Sequence, residues 1–179
     1  MWASIVSGAP CDRLTGCSRN AGMLKRNDAA PFDLLCWLEG RSHAQGVFED
    51  RNGRVRRRFR VEMDGTTEGN GLRLHERFDF DDGERQERTW HLARGAGHSF
   101  SGRAEDSVSE AHGRFEPGVA YLCSELQLKI GRRTVAMRFD DAFYEAGPGL
   151  VLNRSTMSKW GIRLGQILIQ FRKDDQRSP

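Results

Sequence analysis

Short segments in which apolar and polar residues alternate dominate this sequence from residue 43 to residue 173. Turn-forming pairs such as Asn52-Gly53 and Asp82-Gly83 separate the segments, at spacings of about a dozen residues. Because side chains alternate between the two faces of a strand, the pattern predicts an antiparallel meander with one apolar face. Nine or ten strands are predicted, over residues 43–50, 54–66, 71–81, 85–94, 98–106, 108–116, 119–130, 133–146, 149–156 and 166–173.

A short helix is predicted before the first strand, over residues 31–40. Pro31 suits a first helical turn, Asp33 suits its positive end and Gly40 suits its C-terminal stop. So short a helix is not stable alone, and we expect it to plug or cover the sheet. The meander could close as a barrel or fold as a sandwich. A helix leading into it favours an all-β, up-and-down antiparallel barrel with a plugged end.

The length of 179 residues indicates a single folded domain. We place this barrel at residues 31–174, after a leader at 1–30 and before a polar tail at 175–179. Residues 14–17 (LTGC) have the shape of a bacterial lipobox, in which Cys17 would be lipidated. The charged residues of the segment 11–13 interrupt the apolar run that a signal peptide needs. A disordered leader and a degenerate lipoprotein signal therefore both remain open.

Several charged residues fall on strand faces that are otherwise apolar. A charge on such a face is costly unless it is paired or reaches water. In a barrel, inward positions from different strands converge on one lumen. Three arginines against two acids would leave one positive charge, which suits an anionic head group. The five residues are Arg57, Glu76, Arg88, Asp141 and Arg154.

Aromatic residues share these faces and would line the apolar part of a pocket. With the charges they make the predicted ligand-binding set, which is Arg57, Glu76, Arg88, Trp90, Phe139, Asp141 and Arg154. The alternative is a solid barrel in which Arg88–Asp141 and Arg57–Glu76 are internal ion pairs. Both interpretations depend on the register, because a slip of one residue turns a side chain outward.

Charge and composition argue against nucleic-acid binding, a membrane-spanning helix and a metal site. The formal net charge is +3, and the arginines at 54–60 alternate with apolar residues, as on the wet face of a strand. We therefore expect no nucleic-acid partner. No apolar run reaches the ~18 residues of a membrane helix. The four cysteines lack metal-ligand spacing, so neither metal nor cofactor is predicted, while a Cys36–Cys123 disulfide stays open. No nucleophile motif is present, and no catalytic residue is assigned.

Five segments in this order resemble a family of uncharacterised bacterial envelope lipoproteins with lipocalin-like domains. They are FDLLCWLEG (32–40) with GVFEDRNGRVRRRF (46–59), FDFDDGERQERTW (78–90), AHG (111–113), RFDDAFY (138–144) and LVLNRSTMSKWG (150–161). The resemblance implies a calycin-type barrel that binds apolar small molecules and is tethered to a membrane by a lipidated cysteine. Relatives tend to be encoded near enzymes that modify membrane fatty acids, which favours an acyl or lipid ligand. The family supplies no catalytic residues.

Three functional hypotheses follow. The leading one is a non-enzymatic binding protein for an apolar or amphipathic anionic molecule, such as a fatty acid or modified lipid, linked to membrane lipid metabolism or envelope maintenance. The second is an enzyme acting on an acyl or isoprenoid-like substrate, with Asp141 or Glu76 as its acid–base group. The third is an envelope scaffold without a ligand.

The cellular location and partners are expectations of the same kind. The resemblance implies the periplasmic face of the envelope, whereas a leader without a convincing signal leaves the cytoplasm as the alternative. Membrane association is expected only if Cys17 is lipidated. A monomer is expected, because a closed barrel has little exposed strand edge.

Overall fold

The computed structural model describes residues 30–174. Ten antiparallel strands form a closed up-and-down barrel in which β1 pairs with both β2 and β10. The elements are α1 Leu34–Leu38, β1 Gly40–Asp50, β2 Val55–Glu68, β3 Gly71–Phe80, β4 Arg85–Arg94, β5 Ser99–Ala104, β6 Ala111–Glu116, β7 Val119–Ile130, β8 Arg133–Gly147, β9 Leu150–Lys159 and β10 Ile162–Lys173. The predicted all-β barrel with a short N-terminal helix is confirmed.

The helix α1 is shorter than predicted and begins after Asp33. The Asp33 side chain accepts a hydrogen bond from Cys36 N at 3.0 Å, which satisfies one of the unpaired N–H groups at a helix start. Pro31 forms a bridge with Pro117 instead of entering the first turn. Leu34, Leu35 and Leu38 are buried in the barrel core.

Close packing and an ion pair hold α1 across one end of the barrel. A Cβ on Gly65 of β2 would lie 2.1 Å from the Leu38 carbonyl oxygen, so only glycine allows α1 to approach this strand. Arg94 Nη1 at the end of β4 binds Asp33 Oδ2 at 2.6 Å. The helix is therefore a fitted plug rather than a loose cover.

The hairpin between β9 and β10 is tighter than the sequence indicated. A gap was predicted at 157–165, but β9 continues to Lys159 and β10 starts at Ile162. Trp160 and Gly161 have φ values of 52° and 77°. Two positive φ values suit a two-residue hairpin, because their twist matches that of the strands. Tryptophan rarely adopts this conformation, so the turn was not recognised.

The connection between β5 and β6 is longer than predicted. Strands were expected over 98–106 and 108–116, but residues 105–110 lie between the observed strands. Ser107 forms an isolated bridge to Leu126 of β7. The backbone of this connection thus follows β7 rather than extending the hairpin.

The two ends of the barrel are packed differently. Near α1 the inward side chains are fully buried; they include Met63, Leu72, Leu74, Phe100, Phe115, Val151 and Phe171. We call the opposite end, formed by the hairpins β1–β2, β3–β4, β5–β6, β7–β8 and β9–β10, the mouth. Inward apolar side chains toward the mouth are only partly buried; they include Phe78, Phe80, Leu128, Val135, Met157 and Ile167. Inward side chains are therefore, for the most part, better buried at the plugged end than at the mouth.

The structure describes the two cysteines of the possible disulfide but not the predicted leader. Cys36 and Cys123 do not form a disulfide. Cys123 faces outward on β7, since its neighbour Ser124 is buried inside, whereas Cys36 belongs to the plug. Cys17, the leader up to residue 29 and residues 175–179 lie outside the described residues. Within residues 30–174, no helix has the length and apolarity of a membrane span.

Candidate functional site

Polar side chains from opposite walls of the barrel form a cluster on its inner face. Glu76 of β3 lies directly opposite Arg88 of β4, and Asp141 of β8 lies opposite Ser155 of β9. Directly opposed residues present their side chains on the same face, about 5 Å apart. Asp141 and Asp106 both raise the pKa of Glu76, so the two walls interact across the interior.

The Arg88 guanidinium is held by Asp106, a residue the sequence analysis missed. Arg88 Nη2 donates to Asp106 Oδ2 at 2.8 Å, and Nε donates to both carboxylate oxygens at 3.1 Å. Asp106 lies in the β5–β6 connection, past the end of β5 although at the last position of the strand predicted over 98–106, and no feature of the sequence pointed to it. The expected Arg88–Asp141 ion pair is not formed.

Glu76 is the most perturbed acid of the cluster. Its burial raises its pKa to about 7, and the charges of Asp106 and Asp141 add to the rise while Arg88 opposes it. Each effect has the expected sign, since burial and like charge both disfavour the carboxylate. At neutral pH this carboxyl is therefore divided between its two protonation states.

Asp141 differs sharply from its neighbour Asp140. Burial raises the pKa of Asp141 to about 6, against the influence of Ser155 and Asn153, which favour the carboxylate. Asn153 Nδ2 donates to Asp141 Oδ1 at 3.1 Å. Asp140 points outward, where Arg138 binds it at 2.7 Å and lowers its pKa. Two adjacent aspartates thus occupy opposite faces and opposite environments.

Two buried polar side chains lie beside Asp141. Asn153 is 3% exposed and Ser155 is 2% exposed. Asn153 Oδ1 has no hydrogen-bond partner among the described residues, whereas the Ser155 hydroxyl favours the ionised form of Asp141. A buried polar atom left unpaired costs about 1–3 kcal/mol. Asn153 Oδ1 can therefore accept a hydrogen bond from a bound molecule.

Arg57 lies at the mouth rather than in the cluster. Its Nη2 donates to Asp82 Oδ1 at 2.7 Å and to Glu84 Oε2 at 2.5 Å. The guanidinium also stacks 3.6 Å from the centroid of the Phe80 ring. The expected Arg57–Glu76 pair is therefore wrong, since Arg57 instead joins β2 to the β3–β4 hairpin.

Arg154 is on the outside of the barrel, contrary to the sequence prediction. On β9 the buried residues are Val151, Asn153 and Ser155, while Leu152 is 45% exposed. Arg154 lines a groove of about 940 Å³ together with the outward-facing Leu168. The prediction chose the more apolar of the two faces, but the polar face of β9 is the buried one. Arg154 and Arg88 cannot meet at one head group.

Trp90 and Phe139 are where the sequence placed them. Each is 7% exposed and faces inward. Trp90 follows Arg88 by two residues on β4 and favours the ionised form of Glu76, and Phe139 precedes Asp141 by two residues on β8. These two aromatic side chains border the polar cluster from both walls.

The interior is richer in acid than expected. Glu76, Asp106 and Asp141 face the single guanidinium of Arg88, and Arg57 is occupied at the mouth. The predicted positive excess is therefore wrong, and the cluster mainly accepts hydrogen bonds. Among residues 30–174, no group of His, Cys, Asp and Glu side chains is arranged to hold a metal ion.

Comparisons with known proteins give a fold and a family. The chain is similar to the S-type phycobiliprotein lyase CPES from Guillardia theta, with a TM-score of 0.61 at 10% identity, over 80% of this chain and 92% of that one. This likeness supports the lipocalin-like barrel predicted from the sequence. No curated protein matches significantly. A family described as "Protein of unknown function (DUF3833)" matches residues 11–173, and the chain belongs to that family.

Proposed function

We propose that the barrel binds a small, largely apolar molecule whose polar end donates hydrogen bonds to Asp141 and Asn153. One observation carries this proposal: Asn153 Oδ1 is buried and unpartnered among the described residues, beside the Asp141 carboxyl on the inner face. The partly buried apolar side chains toward the mouth would surround the rest of the ligand. A mostly apolar pocket with a few convergent polar groups is the usual form of a small-molecule site.

The charges of the cluster select against an anionic polar end. A ligand carboxylate would lie near Glu76 and Asp141, and Arg88 is already bound by two oxygens of Asp106. Like charges in a poorly hydrated interior repel strongly. The geometry therefore favours a hydroxyl, amide or ammonium group over the carboxylate of a fatty acid. An apolar tail remains compatible with the link to membrane lipids that the family resemblance implies.

Three ligands with one chain length test this preference. We would measure displacement of a fluorescent apolar probe by dodecylamine, dodecanol and dodecanoate at pH 8, where both carboxyls are mostly ionised. Dodecylamine and dodecanol should bind at least about tenfold tighter than dodecanoate, because a hydrogen bond to a charged group contributes about 1.5–3 kcal/mol. If dodecanoate binds most tightly, the proposal is contradicted and a ligand with an anionic head group is favoured instead.

Two adjacent aspartates provide the variant and its control. Asp141→Asn should weaken dodecylamine binding about tenfold or more, because the inward charge is lost. Asp140→Asn removes the same charge from the outer face and should leave binding unchanged. Equal effects of the two variants would show that binding does not occur inside the barrel. If none of the three ligands binds to a folded protein, the scaffold hypothesis is favoured.

A second candidate function is acid–base catalysis at the same cluster. Glu76 and Asp141 have raised pKa values of about 7 and about 6. Two carboxyls that titrate near neutrality can act as general acid and base. We would incubate the protein with acyl esters and analyse them by mass spectrometry. Recovery of unchanged material supports a binding protein, whereas conversion that both Glu76→Gln and Asp141→Asn abolish, with the fold intact, would assign an enzyme.

A further inference from the structure

Two neighbouring hairpins of the mouth combine exposed apolar side chains with positive charge. We call them the basic hairpins, residues 129–133 (KIGRR) and 159–163 (KWGIR). They are adjacent because β8 pairs with both β7 and β9. Trp160 is 89% exposed and Ile162 is 59% exposed. A monomeric domain seldom leaves a tryptophan this exposed without a function.

The basic hairpins contain five basic residues and no acidic residue, namely Lys129, Arg132, Arg133, Lys159 and Arg163. The β3–β4 and β5–β6 connections of the mouth carry six acids, namely Asp81, Asp82, Glu84, Glu105, Asp106 and Glu110. Of these, Asp106 binds Arg88 and Glu110 borders the same groove as Trp160, so the other four form the acidic side. The mouth is therefore divided into a basic side and an acidic side.

The surroundings of Trp160 include both charge signs. Lys159 Nζ lies 4.6 Å from the centroid of the Trp160 ring. Behind the ring, a groove of about 830 Å³ on the outer wall includes Glu110, Glu125 and Asp140. Arg138 binds Asp140 there at 2.7 Å. Lys159, Trp160 and Gly161 line this groove too, so the hairpin 159–163 borders the side wall as well as the end of the molecule.

We propose that the basic hairpins bind the surface of an anionic lipid bilayer, with Trp160 and Ile162 inserted at the level of the head groups. Tryptophan favours the membrane–water interface because its ring is apolar and its N–H is polar. Each lysine or arginine near an anionic surface contributes about 1 kcal/mol. The acidic side of the mouth would be repelled, so the barrel would lie tilted with its basic side down.

This inference is independent of the ligand proposed for the interior. It proposes that the mouth of the barrel contacts the lipid bilayer, in which apolar molecules dissolve. The attachment also needs no lipid anchor, unlike the membrane association expected for a lipidated Cys17. A bilayer-bound mouth would shorten the path of an apolar ligand through water.

Vesicle flotation of the full chain carrying Cys17→Ser tests the proposal without an anchor. The protein should float with vesicles of 70% phosphatidylcholine and 30% phosphatidylglycerol at ~50 mM salt, and about tenfold less at ~200 mM, because salt screens surface charge. Vesicles of phosphatidylcholine alone should bind little. Equal flotation with both vesicle types would overturn the electrostatic part, and no flotation with the anionic vesicles would overturn the proposal.

Matched variants locate the surface. Trp160→Asn removes the ring but keeps a residue that tolerates positive φ, and it should reduce anionic-vesicle binding several-fold. The Arg132→Glu/Arg133→Glu double variant should abolish binding. The controls are Val108→Ser, which removes an exposed apolar side chain from the acidic side of the mouth, and Arg85→Glu/Arg103→Glu, which makes the same charge change elsewhere. Variants and controls that behave alike would refute the assignment.

Sedimentation velocity without vesicles tests a different occupant. A dimer that forms in the Cys17→Ser protein and is lost in Trp160→Asn would assign this surface to a second copy of the chain instead of a membrane. A monomer in both proteins, together with the flotation results expected above, supports the lipid surface.

Discussion

Adjacent residues of one type can have opposite roles in a strand, and Asp140 and Asp141 illustrate why. Asp140 is on the wet face and pairs with Arg138, which lowers its pKa. Asp141 is on the inner face, where burial raises its pKa to about 6. The period of two that separates them is readable in the sequence. The sequence does not reveal the local environment of either aspartate, because that environment depends on the neighbouring strands.

Glu76 should make folding stability depend on pH. Its pKa rises from the ordinary 4.5 to about 7 on folding, so between these values only the folded state holds the proton. Stability should therefore fall as pH increases through this window and become level above it. The loss should reach about 3 kcal/mol in urea unfolding experiments, with a contribution of the same sign from Asp141 at lower pH.

Glu76→Gln should remove the dependence above about pH 6, because glutamine does not titrate, and should leave the part at lower pH that Asp141 contributes. Glu87→Gln changes an exposed residue on the outer face of β4 and should retain the wild-type profile. A wild-type free energy of unfolding that stays constant between about pH 4.5 and 7 would show that Glu76 is better hydrated than its burial implies.

Among the elements, α1 depends on β2 more closely than a five-residue helix would suggest. The backbone of Leu38 in α1 occupies the space that a Cβ at position 65 of β2 would need, so only glycine fits there. Gly65 lies one residue before the end of the strand predicted over 54–66, and a glycine within a strand often marks a close approach by another backbone. The identity of the approaching backbone was visible only in the structure.

Gly65→Ala should destabilise the barrel by about 2 kcal/mol, because a backbone oxygen 2.1 Å from the new Cβ cannot move without displacing the plug. Gly53→Ala is the comparison, since Gly53 sits in open space with a φ of 74°. That change adds only backbone strain of about 1 kcal/mol. Urea unfolding of both variants measures the difference, and an equal loss would mean that α1 is easily displaced.

The faces of β8 and β9 show where strand patterns suffice and where they do not. On β8, Met137, Phe139 and Asp141 face inward as predicted. On β9 the more apolar alternate positions, Leu150 and Leu152, suggested the wrong face. A bulge near Glu145 and Gly147 sets the β8–β9 register, and that register places Asn153 and Ser155 inside. A prediction that takes the more apolar face of a strand as the buried face fails where the interior of the barrel is polar.

Across the whole molecule, packing decreases from the plugged end to the mouth. Met63 and Leu72 are buried near α1, whereas Leu128 and Val135 beside the β7–β8 hairpin of the mouth are only partly buried. If the interior accepts a ligand, this gradient places the entry at the mouth and leaves the plugged end as the stable core. Ligand-binding regions are commonly drawn from the less stable part of a fold.

Native-state hydrogen exchange should report this gradient within single strands. Amides at residues 61–65 of β2 should exchange at least about tenfold more slowly than those at 55–59, since fewer buried contacts protect the mouth. Pairing with β3 begins at Phe59, so the comparison is restricted to amides that donate to β1, which pairs along both segments. Equal rates at the two ends would indicate a uniformly solid barrel and favour the scaffold hypothesis.

The sequence alone determined a meander of nine or ten strands, most of their faces and the short helix before them, and it favoured the up-and-down barrel over a sandwich. These features are local, because turn residues and a period of two act within one hairpin. Only the tertiary structure decided that Arg88 binds Asp106, that Arg154 is outside, that Asn153 and Ser155 are buried, and that the mouth has a basic side. Those outcomes depend on strand register and on loop backbone, which bring distant residues together and are not encoded at any one position.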